Sequence, residues 1–155
     1  HYEVDEAVWD ASNEVMCNAF ARAAEVGCAV QLHTEGGEDF EEVAEWAESE
    51  GLPRSRVVKH YSDGYVEGPI PSVIYHRDEL ESACGGEWPF FMETDFIDDP
   101  DRPGAVLGPK TVPKRTRQLA ESGYTDALYR AHVETPAGVY GVDTEATLSD
   151  DREML

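Results

Sequence analysis

Positive charge is scarce in this chain. Lysine occurs only at Lys59, Lys110 and Lys114, and lysine plus arginine number 12 against 33 aspartates and glutamates, a formal charge of −21 over 155 residues. That balance excludes a basic nucleic-acid-binding surface, so no stable nucleic-acid complex is expected, although nucleic acid could still be a substrate. Cys17, Cys28 and Cys84 are an odd number without zinc-motif spacing, which argues against a disulfide framework or a zinc ribbon and predicts buried free thiols in a reducing compartment. No stretch approaches the roughly 18 uninterrupted apolar residues of a membrane span, and the first residues are acidic rather than a basic signal sequence. A soluble, cytoplasmic protein without a membrane partner is the expectation. Serine elbows, glycine-rich phosphate loops and internal repeats are also missing.

What is present is enough apolar material for a core: 41% of the residues are hydrophobic and 10% aromatic. Acidic disorder shares the charge but not that composition. Carboxylates in such excess repel one another unless salt screens them, so the composition predicts adaptation to a salt-rich cytoplasm.

Periodicity predicts a helix over Val8 to Glu25, with Val8, Ala11, Val15, Met16, Ala19, Phe20, Ala23 and Ala24 on one face and Gly27 as its C-cap. A strand over Cys28 to Leu32, a helix from about Glu38 to Ser49 and a strand over Arg56 to Lys59 follow. Next come a Gly/Pro-rich loop, a strand around Ser72 to Tyr75, a helix from Arg77 to Ala83 ended by Gly85-Gly86, and an apolar strand over Pro89 to Met92 expected to be buried on both faces. With a helix after Thr111, this makes four strand-then-helix units in residues 1–143, ahead of an acidic, frayed tail at 144–155. Such alternation predicts an α/β fold with a parallel sheet. A complete eight-stranded barrel takes about 250 residues, so the chain reads as half of one.

The chemistry gathers where strands end. His33 follows Ala29-Val30-Gln31-Leu32, His60 follows Val57-Val58-Lys59, and Asp95 lies just past Phe90-Phe91-Met92. Imidazoles and a carboxylate at the carboxyl ends of parallel strands are suited to hold a metal ion, and Asp95 could also take a proton from water. Glu35 and Glu93 are candidates to orient the imidazoles. Each histidine read alone could equally be a hydrogen-bonded strand terminus. Asp98 to Asp101 reads as a turn beside the site, because the run lacks the glycine and terminal glutamate of a calcium loop. Lys110 belongs to a basic cluster with Lys114, Arg115 and Arg117 that could hold substrate phosphate or simply pair with acidic surface.

Gln31-Leu32-His33-Thr34-Glu35, Val58-Lys59-His60-Tyr61-Ser62, Glu93-Thr94-Asp95-Phe96-Ile97-Asp98-Asp99-Pro100 and the stretch Arg102 to Pro113 together resemble the TatD-like metal-dependent hydrolases of the amidohydrolase superfamily, in their archaeal form. The resemblance implies the carboxyl-terminal half of a TIM-type (β/α)8 barrel, about strands 5–8. It implies His33 and His60 as metal ligands, Asp95 as both metal contact and catalytic proton acceptor, and one or two divalent ions, zinc, manganese or magnesium. It further implies hydrolysis of a small-molecule or nucleic-acid phosphoester, of deoxyribonuclease type, by metal-activated water. A lactone or amide hydrolase of the same superfamily and a non-catalytic half-barrel are the alternatives. The first-strand histidine pair and bridging glutamate of that family have no counterpart here, so a missing amino-terminal half-barrel is expected to be needed to complete the site.

Overall fold

The computed structural model describes residues 5–34, 40–96, 101 and 108–143. The long helix α1 (Glu6–Val26) starts where Asp5 accepts the backbone N–H of Ala7 with its carboxylate, and stops at Gly27, whose φ of 71° is left-handed. Both are the caps that helix ends require. β1 (Val30–Leu32), α2 (Phe40–Ser49), a 3-10 turn (Arg54–Arg56) and β2 (Val57–Ser62) follow. Next are β3 (Ile70–Ile74), α3 (Arg77–Gly85) and β4 (Phe91–Glu93). After β4 come α4 (Thr111–Glu121), α5 (Thr125–Tyr129), a π-helical turn (Arg130–Glu134) and α6 (Thr135–Tyr140).

The four strands form one parallel sheet in sequence order, β1-β2-β3-β4. The α/β class and parallel sheet expected from the alternation are therefore present. The alternation is not complete, however: no helix separates β2 from β3, and the chain returns through residues 63–69 alone. Gly68 makes that short return possible. Its φ is 97°, and a Cβ there would lie 2.8 Å from the Phe40 carbonyl oxygen, so both conformation and space require glycine.

Side-chain alternation divides the sheet into two faces. Val30, Leu32 and Val57 point to one face and pack with Phe20 and Ala23 of α1 and Ala47 of α2. On that same side, Val73 joins Leu80, Ala83, Cys84, Phe90, Leu119, Ala127, Leu128 and Ala131. Val58, Ile70 and the half-buried Phe91 point the other way, where Val139 of α6 covers them.

Several sequence expectations need correction. On α1 the buried residues are Phe20 and Ala23, while Val8, Ala11, Val15 and Ala19 are exposed. The cluster of Leu32, Ala47, Leu52 and Val57 that packs with Phe20 and Ala23 covers a narrower stripe than the apolar arc of that helix. β4 is half-buried rather than buried on both faces, because among the described residues it pairs with β3 alone. Of the thiols only Cys84 is buried; Cys17 is half-buried and Cys28, at the end of α1, is exposed. All three are free. Among the described residues no helix is long and apolar enough to cross a membrane. Glu35, Asp98 to Pro100 and the tail at 144–155 lie outside the described residues.

Candidate functional site

The face that carries Val58 and Ile70 also carries His60, Ile74 and Glu93, since Val58 is in register with Ile70 and Ile74 with Glu93. At its carboxyl edge β2 is broken by an irregularity between Lys59 and Ser62. Tyr61 sits in that break with φ 56°, a left-handed conformation that costs a β-carbon-bearing residue about 1–2 kcal/mol. A bulge of this kind re-aims the neighbouring side chains. Glu93 compensates for it: one carboxylate oxygen accepts the Tyr61 N–H at 2.8 Å, and the other lies 2.9 Å from Nδ1 of His60. The glutamate thus spans β3 and ties the bulge of β2 to the end of β4.

His60 lies between two carboxylates. Its Nε2 is 3.3 Å from Oδ1 of Asp95, which adopts φ 51° just beyond β4. His33, beyond β1, stacks on the His60 ring with centroids 5.0 Å apart and 28° between the planes. His33, His60, Glu93 and Asp95 are therefore brought together, as the strand-end reading expected. His33 is exposed at the rim, whereas the side chains of His60 and Glu93 are only 13% and 12% exposed.

His33, His60 and Asp95 face a cavity of about 970 Å³ that is also lined by Lys59, Ser62 and Tyr65, with Glu93 behind the His60 ring rather than on the lining. Lys59 was not singled out in sequence, because a lysine inside an apolar strand run reads as an edge or surface residue. Only 5% of it is exposed. Its ammonium donates to the His60 carbonyl and lies 5.4 Å from the centre of the Phe40 ring. Burial lowers its pKa from the ordinary lysine value, and the charges of Glu93 and Asp63 draw it partly back. Lys110 stands exposed ahead of α4 and is not among the lining residues. Arg115 is committed elsewhere, donating to the Tyr75 carbonyl and to Gln118.

The donor set can be tested against a metal ion. With Nδ1 turned to Glu93, Nε2 is the ring nitrogen left to face Asp95 and a metal ion between them. Two donors at about 2.1 Å from one ion with tetrahedral angles lie about 3.4 Å apart, close to the observed 3.3 Å. That pair fits a divalent ion. Among the described residues no group of three histidine, cysteine, aspartate or glutamate side chains is placed to hold one, and His33 contributes a stacked ring.

No family model matches the sequence, and no solved structure matches it. Uncharacterized protein MJ1127 of Methanocaldococcus jannaschii is 41% identical over 154 residues, an alignment that covers 94% of this chain and 55% of that protein. The chain thus spans about half the length of the curated relative it matches.

Proposed function

We propose that this chain carries part of the active centre of a TatD-type metal-dependent hydrolase that cleaves phosphodiesters. The observation that carries the reading is the placement of His60 Nε2 3.3 Å from Asp95 Oδ1, with Nδ1 of the same ring held by Glu93. The half-barrel architecture belongs to the same proposal and is supported by the parallel order of the four strands and the convergence of side chains from three strand ends.

His60 and Asp95 are the proposed metal donors, with His33 as a further donor once its ring turns from the stack. A divalent ion there would supply Lewis acidity and a water of lowered pKa. Asp95, at the strand mouth and partly exposed, accepts the proton of the attacking water. Glu93 keeps the His60 ring in one tautomer. Lys59 provides the cation beside the cavity. The remaining ligands are proposed to come from a segment corresponding to the part of the relative that this chain does not span.

The test is a titration of the folded chain with Mn²⁺ and Zn²⁺ in concentrated KCl, read as thermal stabilisation. It is followed by hydrolysis of bis(p-nitrophenyl) phosphate and of a lactone. Stabilisation that disappears in His60→Ala and in Asp95→Asn supports the site. Binding unchanged in both variants rejects it. Lactone turnover without phosphodiester turnover would move the chemistry to the other branch of the superfamily.

A further inference from the structure

α1 carries three stripes of different chemistry. At about 100° per residue, Met16, Phe20 and Ala23 form the stripe that packs with Leu32 and Val57 of the sheet. Asp10, Glu14 and Glu25 lie on the opposite side, all exposed. Val8, Ala11, Val15 and Ala19 form a third stripe, turned about 100° from the buried one. All four are exposed as well, Val8 by 58% and Val15 by 69%. This flank faces away from α2, because Ala24 lies on the other flank of the buried stripe, where a Cβ at Gly51, just past α2, would sit 3.8 Å from its own Cβ.

The uncharged flank is out of keeping with the rest of the surface. Acidic residues number 33 in this chain, yet Val8, Ala11, Ser12, Val15 and Ala19 are exposed side by side without a charge among them. Contiguous exposed apolar surface marks a contact site. Every residue from Asp5 to Ser12 is exposed, so the first two turns of α1 draw little from tertiary packing, which normally supplies most of a helix's stability. Beneath α1, β1 pairs with β2 alone among the described residues. The sheet and its layer of helices therefore both stop on this side. Ala11, Val15 and Ala19 make one i±4 ridge with small residues at its ends, a shape that admits a second helix at an interaxial distance of about 8–10 Å.

We infer that this flank of α1 is the docking surface for an amphipathic helix, with an uncharged aliphatic stripe, from polypeptide corresponding to the part of the relative that this chain does not span. The shared stretch covers 55% of that protein, which leaves a long segment to occupy the surface. A helix is the fitting occupant because helices fill the layer beside a parallel sheet, and an aliphatic stripe matches a surface that offers no charge. Docked there, it leaves Asp10, Glu14 and Glu25 in water. The inference rests on the proposal that the same segment completes the site at His60. It is tested without metal or substrate, so the two can fail separately.

The experiment mixes the folded chain, in concentrated KCl without metal, with the unspanned part of the relative made as a separate polypeptide. Mass is read by light scattering and affinity by sedimentation. A 1:1 complex is expected, with slowed amide exchange from Val8 to Ala19. The double variant Val15→Glu, Ala19→Glu should weaken it at least about 100-fold while keeping the parent's thermal midpoint, because both side chains are exposed in the chain alone. Asp10→Asn with Glu14→Gln, on the solvent side, should bind as the parent does. No complex, or one that the double variant forms equally well, overturns the inference. Self-association of the chain alone that the double variant abolishes also overturns it, since a second copy would then be the occupant. A complex that forms as expected yet binds Mn²⁺ no more tightly than the chain alone supports the docking surface and counts against the site at His60.

Discussion

One oxygen of Glu93 lies 2.9 Å from Nδ1 of His60 while its other oxygen accepts the Tyr61 N–H at 2.8 Å. A single carboxylate therefore serves two donors on adjacent residues of another strand. The His60 bond is part-buried, where a charge-assisted acceptor counts for more than at the surface, and the Tyr61 bond lies at the exposed edge.

Replacing Glu93 with glutamine keeps the shape and removes one acceptor, so an amide NH₂ must face either the imidazole N–H or the Tyr61 N–H. Leaving one of these donors unsatisfied should cost about 1–3 kcal/mol in folding stability. Loss of tautomer control should weaken Mn²⁺ or Zn²⁺ binding about 10- to 100-fold. Denaturant unfolding and metal titration of Glu93→Gln check the two effects separately. A variant that matches the parent in both would mean that Glu93 is incidental to the site.

Tyr61 gives a prediction of opposite sign. Glycine inside a strand normally weakens it, but Tyr61 is at φ 56° with its side chain 49% exposed, so glycine there relieves left-handed strain and gives up little packing. Tyr61→Gly should therefore be as stable as the parent or more so by about 1 kcal/mol. A drop of thermal midpoint by several degrees would show that the tyrosine ring, edge-on to His60 at 6.1 Å, holds the bulge.

Much of this frame is legible in the sequence. The 3.6-residue apolar period marks α1 and α2, Gly27 marks the cap, and short apolar runs ending in His33, His60 and Asp95 put three ionisable groups at strand ends. The rest is tertiary. β2 runs through His60 to Ser62 rather than stopping at Lys59, because a bulge at Tyr61 carries the pairing onward. Nothing in Val57-Val58-Lys59-His60-Tyr61 signals that bulge, since tyrosine rarely takes a positive φ. The return from β2 to β3 without a helix is the Gly/Pro-rich loop that the sequence predicts, but the close approach of Gly68 to Phe40 that makes it so direct is tertiary. Burial of Lys59 depends on Phe40, 19 residues earlier in the sequence. The π-helical turn has no local signature in Arg130-Ala131-His132-Val133-Glu134.

The charge of −21 makes salt a stabiliser. Ion pairs such as Arg22–Glu25 and Arg77–Glu81 are short and mostly exposed, so screening them sacrifices little. Screening the unpaired carboxylates gains more, because the Debye length falls from about 10 Å at 0.1 M to about 3 Å at 1 M. The thermal midpoint should rise steadily between about 0.1 and 3 M KCl. A midpoint independent of KCl over that range would remove the case for salt adaptation.

Cys84 predicts a specific loss of stability in alkali. It lies in α3 with 6% exposure, packed with Leu80 and Phe90, and burial pushes its thiol up from 9.0 to about 11, with nearby Arg130 drawing it partly down. The folded state therefore holds the proton that the unfolded chain releases. The stabilisation this gives is complete below pH 9 and is lost as the pH rises from 9 toward 11. At about 1.4 kcal/mol per unit, the difference approaches 2–3 kcal/mol. Cys84→Ala removes the titration and adds only a pH-independent packing offset. In denaturant unfolding, the parent should thus lose more stability than Cys84→Ala between pH 9 and 11, and the two should run parallel below pH 8. The exposed Cys28 should react with a thiol reagent at pH 8 while Cys84 stays protected until the chain unfolds. Parallel stability curves up to pH 11, or a Cys84 as reactive as Cys28 in the folded protein, would show that the thiol is solvated rather than part of the core.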